Sequence, residues 1–144
     1  MSTSINRDFT VTHPIEEVKK NIDAVITNSK STYQLSNKND VFNTYTINLI
    51  GGIELVAINL QLKKISDTET QVILNSAEKI RNSGHEIHVN KIIDGFLNLV
   101  AKGLNGETIT AEMVASGKAG CMVGALMIVG MGALSIAGII YIFN

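Results

Sequence analysis

Tryptophan is absent from this 144-residue chain, cysteine and proline occur once each, as Cys121 and Pro14, and aromatic residues make up only 5%. A single cysteine excludes an intramolecular disulfide and a zinc site built on thiolates. A lone thiol fits a reducing compartment. The formal net charge is −1, and no lysine or arginine run with interleaved aromatics occurs. Nucleic acid is therefore not an expected partner, because binding it requires a basic face that neutralises phosphates. Residues 1–8 lack the apolar core of a secretory leader, so the domain is expected to stay on the side where it is made. The most telling absence is local. Residues 119–143 contain no charge, Asn, Gln, His or Pro, whereas charged residues are scattered through 1–118.

That uncharged stretch predicts a transmembrane helix over 119–143, after a soluble domain over 1–106 and a linker over 107–118 with room for some helix. Its 25 residues, at ~1.5 Å each, span roughly 37 Å, enough for a hydrocarbon core of about 30 Å with some tilt. Tyr141 and Phe143 stand at its far end, where aromatics favour the interface, and Lys118 at its near end can reach headgroups. Lys102 and Lys118 lie upstream and only Asn144 downstream. The positive-inside rule then predicts a single-pass, tail-anchored chain with its N-terminal domain in the cytoplasm. Small residues recur at helical spacing: Gly120 with Gly124, Gly117 with Cys121 and Ala125, Ala133 with Ala137. Such rows let two helix backbones approach closely, gaining packing and weak Cα–H···O contacts. The expected partners are therefore membrane lipid and a second copy of the chain, with any further protein partner unspecified. Cys121 reads as a packing residue, with palmitoylation as the chemical alternative.

The first 106 residues alternate between two periods. Residues 8–12 alternate in β-rich fashion and predict a strand. Pro14 then suits the first turn of a helix, with Glu16 and Glu17 at its positive end. Ile15, Val18, Ile22, Val25 and Ile26 recur on one face of that helix, which is expected to end near residues 28–31. Residues 33–35 predict a short strand, 36–40 a polar turn, 41–50 a strand, Gly51-Gly52 a two-residue turn and 53–65 another strand. Closing at Gly51-Gly52 pairs Ile50 with Ile53, Ile47 with Val56, and Tyr45 with Ile58. Val41, Tyr45, Ile47, Leu49, Val56, Ile58, Leu60 and Leu62 then share one face. Residues 66–68 predict a turn and 69–76 a strand containing Val72 and Leu74. Asn82-Ser83-Gly84 reads as a break. Val89, Ile92, Ile93, Phe96, Leu97, Val100 and Leu104 predict a second amphipathic helix ending near Gly106. The order is β-α-β-β-β-β-α, an α+β domain with an antiparallel sheet and two helices on one face.

This order, with Pro14-Ile-Glu-Glu-Val18 opening a helix after the first strand and a helix closing the meander, resembles the START-like, birch-pollen-allergen-like helix-grip superfamily. It is also similar to compact domains built on a TATA-binding-protein-like half of such a sheet. The likeness covers about residues 8–104. Larger helix-grip members hold a lipid or other apolar ligand between sheet and C-terminal helix. That resemblance implies a cavity faced by Ile93, Phe96, Leu97 and Val100. This chain is shorter, with five strands expected against seven, and a short sheet can be filled by its own side chains.

The chemistry-bearing residues are few. His85-Glu86-Ile87-His88 is the one ligand-like cluster. On a helix the two imidazoles point the same way; on a strand they diverge. The preceding Asn-Ser-Gly makes a solvated loop the default, and no third ligand of suitable spacing accompanies the pair. His13 beside Pro14 is expected at the helix N-terminus, and the sequence specifies no nucleophile or carboxylate partner for it. Gly51-Gly52 lacks the following helix that an anion cradle needs. No catalytic residue, metal site or cofactor is expected. The leading expectation is a membrane-anchored, non-enzymatic interaction or self-assembly domain. The alternatives are a binder of lipid or apolar ligand at the membrane surface, or an enzyme working through the His85/His88 region.

Overall fold

A computed structural model describes residues 4–29, 31–77 and 79–115. The chain runs β1 (Asn6–Val11), α1 (Ile15–Thr27), β2 (Tyr33–Asn39), β3 (Thr44–Gly51), β4 (Glu54–Ser66), β5 (Glu69–Ser76), α2 (Ser83–Leu104) and α3 (Ala111–Ala115). The five strands form one sheet in the order β1-β5-β4-β3-β2, with every neighbouring pair antiparallel. Both long helices cover one face of it. Val18, Ile22 and Val25 of α1 and Val89, Ile93, Phe96 and Leu99 of α2 join the inward strand residues in one apolar core. The predicted transmembrane segment and the packing residues Gly117, Gly120, Cys121, Gly124, Ala125, Ala133 and Ala137 lie outside the described residues. Among the described residues no helix is long and apolar enough to cross a membrane.

Pro14 sits immediately before α1, its carbonyl accepting from the Glu17 and Val18 N–H groups at 3.0 and 3.1 Å. This matches the role expected of a proline where a helix backbone donor has no partner to lose. Seven of the eight residues predicted for the apolar sheet face are buried. Val41 is not. It belongs to the turn between β2 and β3, because β3 begins at Thr44. The predicted polar turn over 36–40 is also corrected. Ser36–Asn39 continue β2 along the sheet edge, past a register shift between Leu35 and Asn37. Polar side chains tolerate an exposed edge strand, and a bulge there discourages edge-to-edge pairing.

The β3–β4 hairpin closes through Gly52-Ile53, not Gly51-Gly52. Gly51 pairs with Glu54, Ile50 with Leu55, Ile47 with Ile58, and Tyr45 with Leu60. The register is displaced by two residues from the expected one, an even number, so every side chain keeps its face. Of the two glycines only Gly52 adopts a positive φ, +66°. Gly51 serves packing instead. A Cβ there would lie 2.5 Å from Cγ1 and Cδ1 of Ile92, so this glycine lets α2 rest directly on the hairpin. Residues 85–88, expected as a loop, are helical. Asn82 accepts the His85 N–H through Oδ1 at 2.8 Å and caps α2. Within the stretch read as a linker, Ala111–Ala115 forms α3, and Ile109 and Val114 are buried in the core.

Candidate functional site

The start of α2 and the β3–β4 hairpin meet at a charged cluster. Glu54, the first residue of β4, projects toward α2, where His85 and His88 share a face because they are three residues apart on a helix. Its Oε1 lies 2.9 Å from His85 Nε2 and 3.3 Å from Arg81 Nη2, and its Oε2 lies 3.1 Å from His88 Nε2. The His85 side chain is buried and that of His88 half exposed. The His85–Glu54 approach is an ion-pair distance without hydrogen-bond alignment. Both carboxylate oxygens are thus engaged by the protein itself.

The tautomer of His85 follows from its other nitrogen. The Arg81 backbone N–H donates to His85 Nδ1 at 3.1 Å, so the ring proton resides on Nε2, the atom that faces Glu54. A protonated Nε2 offers no lone pair to a metal ion. Among the described residues no group of three or more His, Cys, Asp or Glu is arranged to hold one. The histidine pair was legible in the sequence. Glu54 was not, because no local pattern links residue 54 to residue 85; only the docking of hairpin on helix does. His13 pairs with Glu17, Nδ1 to Oε2 at 2.9 Å, one turn along α1.

The residues expected to face a ligand are placed differently from one another. Ile93 and Phe96 are completely buried, Val100 is buried, and Leu97 is partly buried against the core. Phe96 meets Tyr33 edge to face, centroids 5.3 Å apart at 76°. Burial pushes the Tyr33 phenol up to about 12. Opposite the helix, Ile47, Leu49, Val56, Ile58 and Leu74 also expose no surface. Ile93, Phe96 and these five strand residues therefore offer no surface to a ligand. Between α2 and the sheet the interior is filled, as it is in a close-packed core.

An open polar cleft of about 380 Å³ lies elsewhere, between β1 and α2, lined by Ser4, Ile5, Asn6, Arg7, Glu86 and Asn90. Its guanidinium is committed. Arg7 Nη1 donates to Asp94 at 2.5 Å and Nη2 to Asn90 at 2.7 Å, tying the edge strand to the helix.

No protein-family model and no curated protein matches the sequence. Solved structures do match in shape. CalU16 from Micromonospora echinospora superposes with a TM-score of 0.53 at 14% identity, covering 83% of this chain and 84% of that one. The fold is helix-grip. Two other similarities are looser. A protein from Thermobifida fusca solved by NMR gives a TM-score of 0.47 at 11% identity, over 80% of this chain and 95% of its own. Ara h 8.0201 gives 0.47 at 9% identity, over 69% and 95%. In this helix-grip chain the gripping helix is α2, and the space it closes over is occupied by Ile93, Phe96 and Val100.

Proposed function

We propose that this chain is a membrane-tethered, non-enzymatic domain that acts through its outer surface, on a partner protein or on a second copy of itself. The observation that carries the reading is the filled interior between α2 and the sheet. A helix-grip head without internal space has nothing to hold except by its outside. The Glu54 cluster supports the same view, since a carboxylate engaged by Arg81 and two imidazoles is a clasp between hairpin and helix. The tether is argued from residues 119–143, and the small-residue rows within them supply a surface for self-association.

Full-length protein expressed in cells is expected to stay with membranes through an alkaline carbonate wash and to leave them only in detergent. In mild detergent it is expected to run as a dimer or higher oligomer that Gly120→Leu with Gly124→Leu disperses. Recovery in the aqueous fraction without detergent removes the tether. A strict monomer removes self-assembly and leaves a foreign partner. Native mass spectrometry of the purified chain is expected to show no stoichiometric apolar ligand. Finding one reverses the argument, because α2 must then open to admit it.

A further inference from the structure

We propose that the end of the sheet bearing the β2–β3 turn is the face that lies on the bilayer, with Val41 and Phe42 immersed among the lipid headgroups. This inference rests on the tethered reading above and adds an orientation to it.

Val41 and Phe42 leave 83% and 67% of their surface exposed at the tip of a tight turn. Asn39 Oδ1 accepts the backbone N–H of both, at 3.0 and 3.1 Å, and Asn43 completes the turn with φ +52°. The two apolar side chains are therefore held outward by a hydrogen-bonded loop. The Leu62 N–H donates to the Asn43 carbonyl at 2.9 Å, which sets this tip at the same end of the sheet as residues 63–66. Ile65 there is 52% exposed. Lys63 beside it is exposed and has no ion-pair partner among the described residues, while Lys64 holds Asp67 at 2.8 Å. Asp40 at the turn lies 3.5 Å from Lys38 and 3.6 Å from Lys19, which also hold Asp23 and Glu16. Three exposed apolar side chains beside a lysine free of an ion pair suit the interface, where apolar groups sink ~5–10 Å and lysine stems reach back to headgroups.

The chain itself names lipid as the occupant. The last described residue, Ala115, is followed after only residues 116–118 by the uncharged stretch 119–143. Three residues reach at most about 11 Å. A head leashed that closely rests on the membrane whenever the stretch is inserted, and some face of it must be the one in contact.

The absence of tryptophan makes a clean probe. Full-length Phe42→Trp, reconstituted in phosphatidylcholine vesicles with or without brominated acyl chains, should emit at shorter wavelength than in water. It should also lose roughly half its emission in brominated lipid, as a side chain at interfacial depth does. Ile53→Trp, at the opposite end of the sheet, should emit as in water and resist the quencher. Quenching of Ile53→Trp in place of Phe42→Trp overturns the orientation, as does a Phe42→Trp signal unaffected by bromine while the protein pellets with the vesicles; the tether survives both results. Protein that fails to enter vesicles at all overturns tether and orientation together. A blue shift of Phe42→Trp that grows with protein concentration and ignores bromine assigns the tip to a second copy and also overturns the proposal.

Discussion

Asn98 is a primary amide set in an apolar wall. It is buried, and its Nδ2 finds no hydrogen-bond partner among the described residues. A buried donor left unmatched costs about 1–3 kcal/mol. Asn98→Leu replaces it with an apolar side chain of similar volume and is expected to raise stability by about 1 kcal/mol, read as a higher urea midpoint at unchanged slope. A lower midpoint would mean that the amide is satisfied in the full-length chain. The helical period gave no warning here. An Asn between Leu97 and Leu99 reads as a solvent-facing position. In the fold the C-terminal half of α2 is buried nearly all round, at Phe96, Asn98, Leu99, Val100, Ala101 and Leu104. Ile109 and Val114 join the same core from beyond the helix. Burial that depends on a later segment leaves no trace in local periodicity.

The first turns of α2 show the same limit at the scale of an element. Asn, Ser and Gly favour both chain breaks and helix caps, because a short polar side chain satisfies backbone donors in either setting. What hid the helix start was the lack of a core-facing apolar position before Val89, since Ile87 is exposed. His85 and His88 face Glu54 instead of the core, so the amphipathic signal begins later than the helix does. Asn82→Ala removes the side-chain acceptor for the His85 N–H and is expected to cost about 1 kcal/mol. Because the cap also sets the direction in which His85 and His88 meet the hairpin, amide exchange should quicken in residues 83–88 and in the Gly51–Glu54 turn alike. Faster exchange confined to the helix would show that the Glu54 cluster holds the hairpin independently of the cap. The hairpin itself was legible as a hairpin. Its register was not, since a two-residue displacement preserves the hydrophobic faces and only the fit of Ile92 against Gly51 chooses between them.

At the scale of the molecule, two buried phenols couple the fold to alkaline pH. Tyr33 is pushed up to about 12 by burial. Tyr45 is likewise near 12, chiefly through burial, with the Asp23 and Asp40 carboxylates adding to it and Lys38, 5.3 Å from the ring centroid, opposing it. An unfolded tyrosine releases its proton near 10. Between about 10 and 12 the unfolded chain therefore binds fewer protons than the folded one, and stability falls as pH rises. Below 10 this contribution is fully present. The third tyrosine, Tyr141, belongs to the uncharged stretch, so Tyr141→Phe isolates the pair. Absorbance at 295 nm in that variant should show both phenols ionising near pH 12, together with loss of circular dichroism. Ionisation near 10 with the dichroism intact would mean that the tyrosine wall is open to water.

The sequence by itself determined the α+β order through α2 and the side of the sheet on which the residues of β3 and β4 fall. It also determined the apolar face of α1 and the place where charge disappears from the chain. These follow from periods of 2 and 3.6 residues and from local composition, which act between near neighbours. The tertiary structure alone decided which two residues of the hairpin turn and that Glu54 clasps His85 and His88. It alone decided that Asn98 is buried and that the space under the gripping helix is filled. Each of these depends on two segments distant along the chain meeting at a particular distance, and side-chain volume at that meeting, unlike hydrophobic period, is not encoded in either segment separately.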